Sequence, residues 1–133
     1  MSECFLSIAI PAYNEEKRLV TTMNKICAYL SQRGFPYEII VVDDGSTDNT
    51  LQVMEKFARA NKQIVVLAND RNYGKGYSVR KGMLSARGEY IFFGDADLST
   101  RIEEIEKCLP YLSGSYDVVV GSRSMSDSEI TIR

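Results

Sequence analysis

The chain has 133 residues, a formal net charge of −2, 44% hydrophobic and 26% charged residues, which suits one globular domain with a real core and leaves no basic footprint for nucleic acid. It contains no histidine, so the commonest general base and transition-metal ligand is missing. Cys4, Cys27 and Cys108 lie too far apart for a metal motif or disulfide framework, and reduced thiols in a cytoplasmic setting are expected.

Met1-Ser2-Glu3-Cys4 lacks the basic region of a signal peptide, and no apolar run approaches the ~18 residues of a membrane span. The first apolar run, Phe5 to Ile10, predicts a strand, and Pro11 to Glu15 the loop after it. Leu19, Met23, Ile26, Cys27 and Leu30 then share one helical face, with Gly34 as the stop. Glu38 to Val42 predicts the second strand, and Asp48 caps a helix carrying Leu51, Met54, Phe57 and Ala58. The third strand is Gln63 to Ala68. The helix after it runs from about Gly76 to Arg87, with Val79, Met83 and Leu84 inward and Gly88 as its stop.

Glu89 to Phe93 predicts the fourth strand. Thr100 and Glu103 form a capping box for a helix with Ile102, Ile105, Cys108 and Leu109 inward, which Pro110 distorts or ends. Asp117 to Val120 is the fifth strand. These runs are continuous rather than alternating, as in strands covered on both faces. Strand–helix alternation predicts an α/β domain with a parallel sheet of five strands and right-handed crossovers.

In such sheets ligands bind at the carboxyl ends of the strands. Asp95-Ala96-Asp97 follows the buried-looking run Tyr90 to Phe93, and two like charges at the end of a core element call for a positive partner. In an extended segment residues two apart face the same side, so Asp95 and Asp97 can share a hard cation that also holds phosphate oxygens. The alternative is a surface turn with two solvated acids. Asn72-Tyr73-Gly74-Lys75-Gly76 opens a helix, and Arg71, Lys75 and Arg80 lie on or near that start, a place for a diphosphate or an ordinary loop with solvated cations. It has neither Walker A nor dinucleotide-fingerprint spacing. Tyr13 either stacks on a base or packs in the core, and one of Asp43 and Asp44 either binds a base edge or ribose or serves the turn at Gly45. Arg123, after Gly121-Ser122, is either a phosphate ligand or a solvated arginine.

Five segments, Ile10 to Glu16, Val41 to Asp48, Asn72 to Gly76, Asp95 to Ser99 and Val120 to Arg123, together resemble family 2 glycosyltransferases over almost the whole chain. Asp95-Ala96-Asp97 and Gly121-Ser122-Arg123 are most similar to the polyprenyl- or dolichyl-phosphate hexosyltransferases of the glucosyl type. The resemblance implies a GT-A fold, a Rossmann-like three-layer sandwich with a mostly parallel sheet. It implies that Pro11, Tyr13, Glu15 and Asp43 or Asp44 line the nucleoside pocket, that Lys75, with Arg80 nearby, faces the diphosphate, and that Asp95 and Asp97 bind Mg2+ or Mn2+. Arg123 then contacts a phosphate of donor or acceptor. Ser99 stands where some relatives have glutamine, so the resemblance does not carry over a third protein ligand.

The implied reaction is inverting transfer of a hexose from a nucleotide sugar, UDP-glucose first and GDP-mannose second, to a lipid phosphate, in the cytoplasm or at the cytoplasmic face of a membrane. Family members continue well past Arg123, so residues 1–133 read as a single nucleotide-sugar-binding domain whose acceptor-side C-terminal part is missing. Such a chain is expected to be weak or inactive alone, and the alternative is a binding module without transfer. A response-regulator receiver is the competing class, since it also has five parallel strands, but it wants an aspartate after strand three and a lysine after strand five. Here those places hold Asn69-Asp70 and Gly121-Ser122-Arg123.

Overall fold

A computed structural model describes residues 4–96, 102, 105–112, 119–121 and 130–132, in two compact units, Met1–Thr100 and Arg101–Arg133. In the first unit, β1 (Leu6–Ala12) and β2 (Tyr37–Asp43) form the centre of a four-stranded parallel sheet with β3 (Ile64–Ala68) beside β2 and β4 (Tyr90–Phe93) beside β1. Three helices connect them, α1 (Glu16–Ser31), α2 (Thr50–Ala60) and α3 (Lys75–Ser85). From β1 to β2 to β3 the chain steps outward in one direction, and the step to β4 returns across β1. Right-handed crossovers then put α1 and α2 on one face and α3 on the other, which makes three layers.

β1 is buried throughout and β2 everywhere but Tyr37, so their continuous apolar runs reflect cover on both faces. Ile10, Ile39, Ile40 and Val41 are wholly inaccessible, each worth roughly 1.5–3 kcal/mol relative to exposure. The outer strands are less covered. β3 has only Ile64 fully buried, and Phe93 of β4 is exposed.

The sheet of the first unit has four strands rather than five. The expected fifth falls in the second unit as β5 (Val119–Gly121), which pairs antiparallel with β6 (Ile130–Ile132). The second unit also holds α4 (Ile105–Leu112), which continues two residues past Pro110, with Ile105 and Cys108 buried. Thr100 and Glu103, the expected capping box, lie outside the described residues.

β1 runs through Pro11 to Ala12, beyond the expected end at Ile10. Proline is tolerated because of its parity. The Ala9 carbonyl accepts from Gly94 on the β4 side, and the Ala12 carbonyl accepts from Asp44 on the β2 side. Pro11 shares the parity of Ala9, so its nitrogen faces the β4 side beyond Phe93, where no donor is needed.

α1 buries Leu19, Thr22, Met23, Ile26 and Leu30, while Cys27 is only half-buried and its thiol pKa is raised by that burial. The helix ends at Ser31, and Gly34 takes a positive φ of 78° just beyond. The expected inward face of α3 is overturned. Ser78 and Gly82 face the sheet, whereas Met83 and Leu84 are 37% and 73% exposed. A Cβ on Gly82 would lie 3.0 Å from Ala9 Cβ and 3.2 Å from Val42 Cγ2, so small residues bring this helix close to the strands and turn its large residues outward.

Gly88 is not the helix stop either, since α3 ends at Ser85 with Ala86 following. It is instead a point of close approach. A Cβ there would lie 2.6 Å from Ser7 N, and its N–H donates to Ser7 Oγ at 2.8 Å. Ser7 in turn donates to the buried Glu38 carboxylate at 2.6 Å, which also accepts from Arg87 N at 2.6 Å. This network ties the turn before β4 to the amino ends of β1 and β2, far from the ligand end of the sheet.

Candidate functional site

At the carboxyl ends of β1 to β4 four loops are stitched together. Asn14, at a positive φ of 53° that its short polar side chain tolerates, accepts through Oδ1 from Thr47 N at 2.8 Å and Asp48 N at 3.3 Å. Its own N–H donates to Ser46 Oγ at 2.9 Å. The loop after β1 is thereby clasped to the loop after β2. Gly45, at φ 71°, lets the β2 loop lie directly on the backbone of Arg71 and Asn72. Lys75 pairs with Asp95, and Thr22 of α1 donates to the Ala96 carbonyl, which brings in the loop after β4.

Within this cluster the two adjacent acids differ. Both are buried. Asp44 is consumed internally, since its Oδ1 accepts from Tyr73 N at 2.8 Å and Asn69 Nδ2 at 2.9 Å, and its Oδ2 accepts from Gly74 N at 2.9 Å. Asp43 takes one side-chain hydrogen bond among the described residues, from Ser46 N at 3.2 Å. Of the pair, Asp43 therefore retains acceptor capacity toward a ligand.

Pro11 ends up inside β1, and Tyr13 stands 44% exposed in the loop after it. Glu15 lies at the start of α1, where its carboxylate is gripped by Arg18 at 2.8 and 3.1 Å and its N–H donates to Thr50 Oγ1 at 2.8 Å. Arg80 lines an open groove of about 570 Å³ between α3 and Phe93, together with Lys75, Val79, Met83 and Leu84. Asp97 and Arg123 lie outside the described residues.

Asp48 acts one residue earlier than a helix cap should. α2 starts at Thr50 with Asn49 in the cap position, and Asp48 Oδ1 accepts from Thr50 N at 2.9 Å and from the Thr50 hydroxyl. Its Oδ2 accepts from Glu16 N at 3.4 Å, so one carboxylate serves the starts of two helices. Partial burial works against ionisation, but the Thr50 and Glu16 hydrogen bonds outweigh it, and the pKa is lowered below the ordinary aspartate range. A depressed folded-state pKa gives stability that is complete above the unfolded value, about 3.9, and is lost as pH falls through the folded one. Asp48→Asn should therefore flatten the acid limb of the thermal midpoint below about pH 4, measured against the unaltered chain.

Asp95 follows β4 with 38% of its side chain exposed and offers carboxylate oxygen, which suits a hard cation. The Lys75 ammonium already stands against it, so a metal there has to share or displace that partner. Among the described residues no three histidine, cysteine or acidic side chains gather to hold a metal.

Sequence reasoning missed the Asn14 clasp, although a lone Asn after a strand is a known tolerant site for positive φ. It also missed Thr22, whose polarity on a buried helical face was the available signal. Asn69 was visible only as a polar residue after the third strand, and Ser78 and Lys81 had no local signal at all.

Several known proteins resemble the chain. It matches the family model for Glycosyl transferase family 2 over residues 7–133. It is 41% identical over 133 aligned residues to dolichyl-phosphate beta-glucosyltransferase ALG5C of Trichomonas vaginalis, covering 92% of this chain and 40% of that protein. The human dolichyl-phosphate beta-glucosyltransferase is 42% identical over 109 residues, covering 77% and 34%. The chain thus spans well under half the length of these relatives. Among solved structures, S. aureus TarS residues 1–349 in complex with UDP-GlcNAc is 31% identical with a TM-score of 0.64, over 82% of this chain and 31% of that one. The Pyrobaculum calidifontis mannosyltransferase PcManGT, in complex with GDP-Man and Mn2+, has a TM-score of 0.70 over 91% and 35% at 20% identity, a likeness of fold. With four loops converging at the ends of parallel strands and a family match that covers nearly every residue, the chain belongs to glycosyl transferase family 2.

Proposed function

We propose that this chain is the nucleotide-sugar-binding domain of a hexosyltransferase that uses UDP-glucose and a polyprenyl or dolichyl phosphate acceptor. The observation that carries the reading is the division of labour at the end of β2, where Asp44 is bound internally and Asp43 keeps acceptor capacity beside the exposed Tyr13. Asp43 would accept from the base edge or ribose, and Tyr13 would stack on the base. Lys75 would meet the diphosphate. The UDP-GlcNAc complex of TarS supports a uridine donor, and the dolichyl-phosphate beta-glucosyltransferase relatives support glucose and a lipid phosphate.

Asp95 and Asp97 would hold Mg2+ or Mn2+, whose charge neutralises the leaving diphosphate. Arg123 would contact a phosphate, and Pro11, Glu15, Asp44 and Arg80 would shape or support the donor site from the positions described above. An anionic lipid phosphate needs no base to remove a proton, in keeping with a chain that has no histidine. The site of action would be cytoplasmic, at a membrane face in a longer form. No helix among the described residues is long and apolar enough to cross a membrane.

The alternative is a nucleotide-sugar-binding module without transfer, which would use the same donor site. Calorimetry with UDP-glucose and GDP-mannose, with and without Mn2+, tests the donor site. UDP-glucose should bind more tightly with Mn2+, and Asp97→Ala should erase the difference. Preference for GDP-mannose, or metal dependence that survives Asp97→Ala, would overturn the assignment. Adding a polyprenyl phosphate then separates transferase from binding module.

A further inference from the structure

Behind the loop that carries Lys75, three residues outside the matched segments, Asn69, Ser78 and Lys81, form a polar cluster against Asp44. Asn69, the first residue after β3, is 7% exposed, and Ser78 on the inner face of α3 is fully buried. Asn69 Nδ2 donates to Asp44 Oδ1 and to Ser78 Oγ, each at 2.9 Å. Its Oδ1 accepts from Lys81 Nζ at 3.0 Å, and the same ammonium donates to the Ala68 carbonyl at 3.3 Å.

An asparagine amide presents an acceptor on one side and a donor on the other, and it can turn over. An ammonium only donates and an ionised carboxylate only accepts. Lys81 on one side and Asp44 on the other therefore impose the same orientation. Reversed, the amide would set NH2 against ammonium and oxygen against carboxylate, two repulsive contacts in a buried place. Among the described residues, the charged groups hydrogen-bonded to the Asn69 side chain are these two, Asp44 at the end of β2 and Lys81 on α3.

The consequence runs forward along the chain. Asp44 Oδ1, held by Asn69, also accepts from Tyr73 N, and its Oδ2 accepts from Gly74 N. Those two amides immediately precede Lys75, which meets Asp95. We propose that Lys81 and Asn69 are positioning residues for the nucleotide-sugar site, locking Asp44 and thereby the Tyr73–Gly74 backbone that delivers Lys75. This rests on the donor-site reading above.

The test measures UDP-glucose affinity of the chain carrying Lys81→Met, Asn69→Ala, both together, and Lys81→Arg, each verified as folded by its denaturation midpoint. Each single loss should weaken binding about tenfold, the size of one lost hydrogen bond to a charged group. Since Lys81 acts through Asn69, the double variant should also be weakened about tenfold and not a hundredfold. Lys81→Arg keeps the donors and should bind within about threefold of the unaltered chain. Singles that bind normally, a multiplicative double variant, or an arginine that rescues nothing would each overturn the inference.

A second readout needs no ligand. Hydrogen exchange at the Tyr73 and Gly74 amides should accelerate in Lys81→Met and return toward normal in Lys81→Arg. If the unaltered chain fails to bind UDP-glucose, the donor-site reading falls, and the positioning inference stands or falls on this exchange.

Discussion

Asp44→Ala is expected to destabilise the chain by about 3–5 kcal/mol, read as a shift of the urea midpoint, and to abolish nucleotide-sugar binding at concentrations where the chain is still folded. The carboxylate is buried and accepts three hydrogen bonds, from Asn69, Tyr73 and Gly74. Hydrogen bonds to a charged acceptor contribute roughly 1.5–3 kcal/mol each and do not add in full, while the stranded donors lose their partner without regaining water. Asp44→Asn separates geometry from charge. Its one carbonyl oxygen can serve Asn69 and Tyr73 from the Oδ1 place, but its amide then meets the Gly74 N–H, so the cost should be intermediate, roughly 1–2 kcal/mol. Asp43→Asn should leave the midpoint nearly unchanged and weaken the ligand. Equal losses of stability in the Asp43 and Asp44 variants would contradict the division between the two acids.

Gly45→Ala should cost about 2–5 kcal/mol, for two reasons that add. The residue sits at φ 71°, where a side chain is strained by roughly 1–2 kcal/mol. Its Cβ would also lie 2.4 Å from Arg71 C and 2.6 Å from Asn72 N, and backbone atoms cannot swing aside as a side-chain tip would. Gly34→Ala is the control. Gly34 has a similar φ of 78° with nothing within 4 Å of the added atom, so it should show only the conformational part, roughly 1–2 kcal/mol. If both substitutions cost the same, the contact between the β2 and β3 loops is looser than described.

The parts of this fold legible in the sequence were those governed by local rules. Continuous apolar runs marked β1 to β4, although only β1 and β2 are buried along their length. The helices of the first unit followed from periodicity, though the face of α3 did not. Val79, Met83 and Leu84 obey the helical period, yet the sheet selects Ser78 and Gly82, because the distance of a helix from its strands is a tertiary property. The fifth strand failed for a similar reason. A short apolar run shows that a strand exists but not which partner it takes, and Val119–Gly121 takes Ile130–Ile132. At the site, the pair Asp43-Asp44 was visible, while the choice between them depended on Asn69, Tyr73 and Gly74, more than two dozen residues away. Asn69 and Lys81 are ordinary residues in sequence, and only the fold sets them around one carboxylate.

The strand order also shapes how the chain comes into being. β1 pairs with β2 at Leu6↔Tyr37, but its other side waits for β4, where Leu6 meets Tyr90. On a ribosome, which releases the chain from its amino end, β1, β2 and β3 can join while one flank of the central strand stays open. That flank is filled only once Phe93 has emerged, so a nascent chain passes through a long interval with a bare apolar strand edge.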